Sequence, residues 1–302
     1  MKIATRDGFG IGLAEAGINP NVIVLGADLS KATKTDGFAK KFPERFFECG
    51  IAEANMIGVA SGLAANGFKV FISSFASFLT GRYDIIRCSL SYSKAPVVIV
   101  GSHGGMAIGK DGVTQMGLED VSIMRSLPGM TIYNPSTSAE AEFITKHLCY
   151  SHLDNPVYLR IGRQPVSNVT ESNFENWTGN EVIKSAKNEN VSIYTTGCTR
   201  ELALDVAEVL NCSVVDVTCL KPFSGLKVVT KNIITIEDHS VIGGLGSIIS
   251  EHIAESGFNV KVQRFGLQDV FPESGDPDDL YFKYGLSVEN IVGTFNKNAT
   301  VL

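Results

Sequence analysis

The sequence predicts an α/β protein of two tandem domains with mainly parallel sheets, and three observations predict it. Its 302 residues are about two domains' worth at roughly 150 residues each. Short β-branched runs alternate with longer helical patterns, the rhythm of βαβ units whose strands are buried on both faces. Over residues 164–190 that rhythm fades into Asn, Ser, Thr, Glu and Gly around the single tryptophan, Trp177, which marks a linker or hairpin. The domains are accordingly placed at 1–166 and 191–302, with a linker at 167–190.

In the first domain the spacing predicts strands at 22–26, 69–72, 96–101, 130–133 and 157–161, and helices at about 7–17, 51–66, 80–93, 118–126 and 137–151. In the second it predicts strands at 191–195, 213–217, 233–236 and 260–265, helices at 200–210 and 245–256, and terminal helices near 278–284 and 288–294. No short repeat or low-complexity tract interrupts the series.

Composition narrows the function. Hydrophobic residues at 44%, charged residues at 19% and 30 glycines against 10 prolines exclude disordered, collagen-like and coiled-coil classes. Lys plus Arg is 26 against 32 for Asp plus Glu, a net charge of −6, so nothing draws nucleic acid or an anionic membrane. Cys49, Cys88, Cys149, Cys198, Cys212 and Cys219 lie far apart without a zinc-type spacing, and read as small buried hydrophobes of a reducing compartment. With neither a signal-peptide core nor an apolar run of roughly 18 residues, a cytoplasmic protein is expected.

Several segments carry candidate chemistry. Residues 49–65, Cys49-Gly50-Ile51-Ala52-Glu53 onward, are apolar or small on every side, which predicts a helix buried all round. Glu53 in its first turn either favours the helix dipole or, deprived of solvation, is tuned to exchange a proton with a ligand. Phe75 and Phe78 follow a strand, where ligands bind in parallel sheets; their three-residue spacing makes them core or a ring-stacking platform. The loop after the strand at 96–101 has no phosphate-loop pattern and places polar side chains, His103 and Asp111 among them, over a site. Arg6 and Arg163 flank elements and are either solvated surface residues or planar forks for a phosphate or carboxylate. Residues 234–247 resemble a strand, a Gly-rich turn and a helix start that holds an anion, or a tight turn at a subunit contact.

Together and in this order, these segments resemble the C-terminal half of a transketolase. The resemblance is close from Thr5 to about Val166 and looser from Val191 to about Phe265. Its most specific pieces are Gly26-Ala27-Asp28-Leu29, Phe42-Pro43-Glu44-Arg45-Phe46, Gly50-Ile51-Ala52-Glu53, Ser74-Phe75 through Phe78, Gly109-Lys110-Asp111-Gly112 and Gly117-Leu118-Glu119-Asp120.

The resemblance implies a thiamine diphosphate pyrimidine-binding domain followed by a transketolase C-terminal-like domain. It places on Glu53 the hydrogen bond to N1′ of the cofactor's aminopyrimidine, and around that ring Phe75 and Phe78, with Asp28 near cofactor and subunit contact. It implies His103 on the donor's hydroxyls, Asp111 as a sugar-hydroxyl acceptor, and Arg6 and Arg163 on the acceptor's phosphate. Gln115 stands where a histidine is usual and Gly81 where an aromatic is common; Gln115 donates a hydrogen bond but shuttles no proton at neutral pH.

The G-D-G-type segment that holds diphosphate and Mg²⁺ or Ca²⁺ in the family does not occur in this sequence, so no metal ligand is assigned here. The implied assembly is α2β2-like, with a separate N-terminal subunit, self-association, and sugar phosphates as substrates in pentose phosphate metabolism. Rival expectations are the beta subunit of a 2-oxo-acid dehydrogenase, a deoxyxylulose phosphate synthase-like protein, and a non-catalytic regulatory subunit.

Overall fold

Strands buried on both faces require continuous apolar runs, and such runs build both sheets. The computed structural model describes residues 2–167, 174 and 177–299. In chain order the strands are β1 Lys2–Ala4, β2 Val22–Gly26, β3 Phe46–Glu48, β4 Lys69–Phe75, β5 Val97–Ser102, β6 Thr131–Tyr133, β7 Val157–Ile161, β8 Pro165–Ser167, β9 Asn180–Lys184, β10 Val191–Thr195, β11 Ser213–Val217, β12 Cys219–Lys221, β13 Asn232–Ser240 and β14 Lys261–Leu267. The helices are α1 Thr5–Ala16, α2 Asp36–Lys41, α3 Glu53–Ala65, α4 Ala76–Thr80, α5 Tyr83–Ile85, α6 Asp120–Arg125, α7 Ser138–Tyr150, α8 Arg200–Leu210, α9 Leu245–Ser256, α10 Pro277–Lys283 and α11 Val288–Ala299.

One sheet has seven strands in the order β12-β6-β7-β5-β4-β2-β3, and the other five in the order β14-β13-β10-β11-β9. Pairing is parallel except for β12 on β6 and β9 on β11, so the expected mainly parallel α/β architecture is what forms. A separate ribbon joins β1 antiparallel to β8.

Four expectations are corrected. The single helix expected over 80–93 is interrupted after α4 and continues as α5 and a π-helical stretch, Ile86–Tyr92; the wider winding closes with Ala95 N–H on the Leu90 carbonyl five residues back. The region read as a linker contains β8 and β9, and β9 is an edge strand of the second sheet. Its polar, partly exposed face, with Val182 42% exposed, hides the apolar alternation that marks a strand; residues 168–173, 175 and 176 lie outside the described residues. The second domain returns β12 to the edge of the first sheet, a crossing that periodicity does not encode. Finally, α3 is not buried all round. Met56, Ile57, Ala60 and Ala64 are buried, but Val59 is 41% exposed, and Ile51, just before the helix, 84%. A Cβ on Gly58 or Gly62 would meet nothing within 4 Å.

The domains meet along a polar seam. β7 is buried throughout, Arg160 included, and a buried guanidinium needs partners. Its Nε donates to Asp120 Oδ2 at 2.9 Å, Nη1 to Asp238 Oδ1 on β13 at 3.1 Å, and Nη2 to the Gly117 carbonyl at 3.2 Å. The Tyr158 hydroxyl donates to the same Asp120 oxygen at 2.8 Å. Nearby on the seam, Glu140 of α7 accepts from the Thr218 hydroxyl at 2.6 Å and from Trp177 Nε1 at 3.2 Å. The Ser136 hydroxyl donates to Asp216 Oδ1 at 2.6 Å. Burial, helped by the neighbouring Glu140 charge, pushes the Asp216 carboxyl up to about 7.

Candidate functional site

The carboxyl ends of parallel strands gather the predicted residues, as the sheet topology requires. Glu53 is the first residue of α3 and 5% exposed. Its neighbour is Ser74, near the end of β4, whose hydroxyl donates to Glu53 Oε1 at 3.0 Å. Among the described residues no other side-chain hydrogen bond to this carboxylate occurs, so Oε2 stays available to a ligand.

The next residue along, Phe75, ends β4, and α4 then swings Phe78 back over it. The two rings stack with centroids 5.2 Å apart and planes at 24°. On the other side, Phe75 lies 3.8 Å, centroid to centroid, from His103. His103 follows β5 in the left-handed region, at φ +62°, and its Nδ1 is 2.8 Å from the Ser102 hydroxyl. Burial, reinforced by the positive charges of Arg6 and Arg163, pushes the imidazole down to about 3. His103 is therefore neutral, and it shares one electrostatic environment with both arginines.

Arg6 enters α1 with its amide on the Gly162 carbonyl at 3.2 Å, and its Nη1 donates to the Ala32 carbonyl at 3.1 Å. Its Nε is buried with no hydrogen-bond partner, which leaves one donor of the fork unspent. Arg163, just past β7, donates to Asp111 Oδ2 at 2.5 Å. Two residues read separately as substrate contacts thus hold each other.

Asp28 follows β2 at φ +59°. Its amide donates to Glu48 Oε1 at 2.7 Å, and the Gly50 amide donates to the same oxygen at 3.0 Å. Gln115 is half-buried in the loop after His103, its amide on the Gly112 carbonyl; among the described residues no side-chain hydrogen bond joins it to the cluster of Glu53, Phe75, Phe78 and His103.

Sequence reasoning missed Glu48, Ser74 and Arg160. Arg160 had a readable signal: a charged residue in the middle of an otherwise apolar, doubly covered strand must have buried partners. Glu48 and Ser74 had none, because both act through turns whose partners are remote in sequence.

The anion reading of 234–247 is corrected. The N-terminus of α9 is filled by the chain's own Glu237, which accepts from Leu245 N–H at 2.6 Å and Gly246 N–H at 3.0 Å. His239 Nε2 stands 3.1 Å from the same carboxylate. Burial opposes protonation of this imidazole, but hydrogen bonds to Asp238 and Glu237 outweigh it and raise it to about 9.

Comparison with known proteins follows the same division. The pyrimidine binding domain of transketolase matches residues 1–168, and the transketolase C-terminal domain matches residues 180–291. A 6-deoxy-6-sulfo-D-fructose transketolase subunit of a Clostridium species is 38% identical over 90% of this chain and 86% of its own length. The transketolase of Rattus norvegicus is 34% identical over 96% of this chain but only 48% of its own length. The chain thus spans about half of such full-length relatives. A solved structure described as an inactive β4 tetramer of a split-gene transketolase superposes with a TM-score of 0.87, at 39% identity and covering 98% of both chains.

Proposed function

The chain belongs to the transketolase family, and from that premise we propose that it is the pyrimidine-side subunit of a split transketolase. In this reading it works with a separate N-terminal subunit to move a two-carbon ketol unit from a ketose phosphate to an aldose phosphate. The observation that carries the proposal is Glu53: a carboxylate 5% exposed, with one oxygen held by Ser74, beside the stacked rings of Phe75 and Phe78.

The family implies thiamine diphosphate, which when bound supplies the electron sink for breaking a carbon–carbon bond. The residues present fit its pyrimidine end. Glu53 would offer Oε2 to a ring nitrogen, with Oε1 held in place by the Ser74 hydroxyl. The stacked pair of Phe75 and Phe78 would give that end of the cofactor an aromatic wall. Among the described residues no group of three His, Cys, Asp or Glu is placed to hold a metal ion, so in this reading diphosphate and Mg²⁺ or Ca²⁺ are held by the partner.

His103, with Nδ1 held by the Ser102 hydroxyl, keeps Nε2 for one hydrogen bond with a donor hydroxyl. Arg6 and Arg163 would present their guanidinium groups to a phosphate, the Arg163 fork oriented by Asp111. Asp28, pinned by Glu48, and Gln115 complete the cofactor and substrate contacts. The inactive tetramer of the split-gene relative supports the need for a second polypeptide, and the open apolar face of α3 supports association. Six unpaired cysteines accord with a cytoplasmic location.

The test is ketol transfer from xylulose 5-phosphate, measured for this chain with thiamine diphosphate and Mg²⁺, alone and mixed with a polypeptide carrying the missing N-terminal half. Transfer is expected only in the mixture. Robust transfer by the chain alone overturns the split arrangement, and turnover of pyruvate in place of the ketose overturns the ketol reading.

A further inference from the structure

We propose that the second domain positions the loop 103–117, and with it His103 and Asp111, through two positioning residues, Arg160 and Asp238. The inference deepens the reading above and rests on it only for what the loop binds.

The loop leaves β5 and returns to its own start. Its neck is closed by Gly105 N–H on the Gly117 carbonyl at 2.7 Å and by Gly117 N–H on the His103 carbonyl at 3.2 Å. Arg160 Nη2 donates to that same Gly117 carbonyl. The guanidinium lies so close beneath Gly104 that a Cβ there would come within 2.6 Å of Arg160 Cζ. The carboxylate of Asp238, from the second sheet, would come within 1.9 Å of a Cβ on Gly105. The two residues that follow His103 are thus pressed against one charged pair that spans both domains. A non-glycine residue at φ +62° persists only where its surroundings over-determine it, and for His103 this pair is that surrounding.

The grip continues along the loop. Ser240 N–H, at the end of β13, donates to the Leu118 carbonyl at 2.9 Å. At the far turn a Cβ on Gly109 would meet the Gly275 carbonyl at 2.9 Å and Pro277 at 2.9 Å, and one on Gly112 would meet Ser274 Oγ at 2.5 Å. Asp238, Ser274, Gly275 and Pro277 thus lie against the loop that carries Asp111, and Ser240 holds Leu118 just past its end. By contrast, the ion pair of Arg125 and Glu251 joins α6 to α9 across the domains without touching the loop, which makes it a control for domain attachment alone.

Amide hydrogen exchange on the intact chain tests the proposal. In Asp238→Asn, protection at Gly105 and Gly117 is expected to fall about tenfold or more while Val24 in β2 keeps its own, because local opening draws on local contacts. Glu251→Gln is expected to leave the loop unchanged. Arg160→Lys is not expected to restore protection, since a point-like ammonium does not replace a fork that spans Asp120, Asp238 and Gly117. In the reconstituted two-subunit enzyme, Asp238→Asn is expected to raise the donor's KM about tenfold with a smaller change in kcat, and Glu251→Gln to move neither. Unchanged loop protection in folded Asp238→Asn, or equal loosening by Glu251→Gln, overturns the proposal. Should Asp238→Asn not fold, the wild-type chain decides: exchange of Gly105 and Gly117 through the same opening as β13, as denaturant rises, supports the coupling, and independent opening refutes it. Failure of the wild-type pair to transfer a ketol unit would sink the functional reading while leaving the exchange result standing.

Discussion

Two buried glutamates stand beside helix N-termini, Glu53 as the first residue of α3 and Glu237 reaching α9 from β13, and they differ in what the fold does with them. Glu237 is fully buried, and both its oxygens accept helix amides at 2.6 and 3.0 Å, with His239 alongside. Glu53 is the first residue of its own helix, so that helix's amides are not turned toward it, and one serine hydroxyl is its side-chain partner. A carboxylate saturated by its own chain holds the fold together. One with a single side-chain partner leaves its other oxygen uncommitted by the chain's own groups. The distinction is one of hydrogen-bond accounting, which burial alone does not make.

The sharpest way to break this comparison is to neutralise each carboxylate. Glu53→Gln is expected to lower ketol transfer by about 10²–10⁴-fold, the range of a lost acid–base contribution, with the thermal midpoint of the chain nearly unchanged; near-wild-type rates would end the assignment. Glu237→Ala is expected to do the reverse in kind, costing roughly 3 kcal/mol of stability because the α9 amides and His239 lose their buried partner. A chemical denaturation curve that does not move would show that Glu237 is not structural.

Titration separates the two regions by sign. Asp216, facing Glu140, Arg200 and Glu181, is raised from 3.8 to about 7. His239, between Asp238 and Glu237 and near Arg160, is raised from 6.5 to about 9. Both hold protons in the fold that the unfolded chain releases. Their contribution is present at low pH and is lost as pH climbs, through about 7 for Asp216 and about 9 for His239. His103 is lowered from 6.5 to about 3, so its contribution is present above 6.5 and is lost as pH falls toward 3. Below pH 6.5 the gain from His103 and the loss from Asp216 oppose each other, so the clean window is from about pH 7 to about pH 9, where thermal midpoints are expected to fall as His239 gives up its proton in the fold; a rise across that window contradicts the seam's electrostatics. The mildest expected effect is that of Ser74→Ala. Loss of one charge-directed hydrogen bond to Glu53 is expected to slow transfer about tenfold, and no change would mean that Glu53 needs no orienting partner.

How much of this was legible follows from where each signal resides. The strands β7, β10 and β11 coincide with the runs read from sequence because a doubly covered parallel strand has no polar face to blur it. Motif order and the rule that sites lie at carboxyl ends of strands pointed to Glu53, Phe75, Phe78 and His103; the contacts of Ser74 with Glu53 and of Phe75 with Phe78 and His103 are what the fold adds. What escaped is relational. The open side of α3 has the composition of a buried helix, and nothing in Ile51, Gly58, Val59 or Gly62 says that this face is left uncovered by the chain itself. The filling of the α9 N-terminus by Glu237, and the pairing of Asp111 with Arg163, depend on turns that bring distant residues within 3 Å. The β9 and β12 strands are short edges, set by neighbours rather than by their own pattern.

The loan of Cys219–Lys221 to the border of the first sheet has a consequence for how this polypeptide can be divided. Cutting at the apparent joint near residue 190 would strip Thr131–Tyr133 of its outer neighbour and bare a row of unsatisfied amides and carbonyls, a template for intermolecular stacking. The two portions therefore share one sheet and lean on each other for its border.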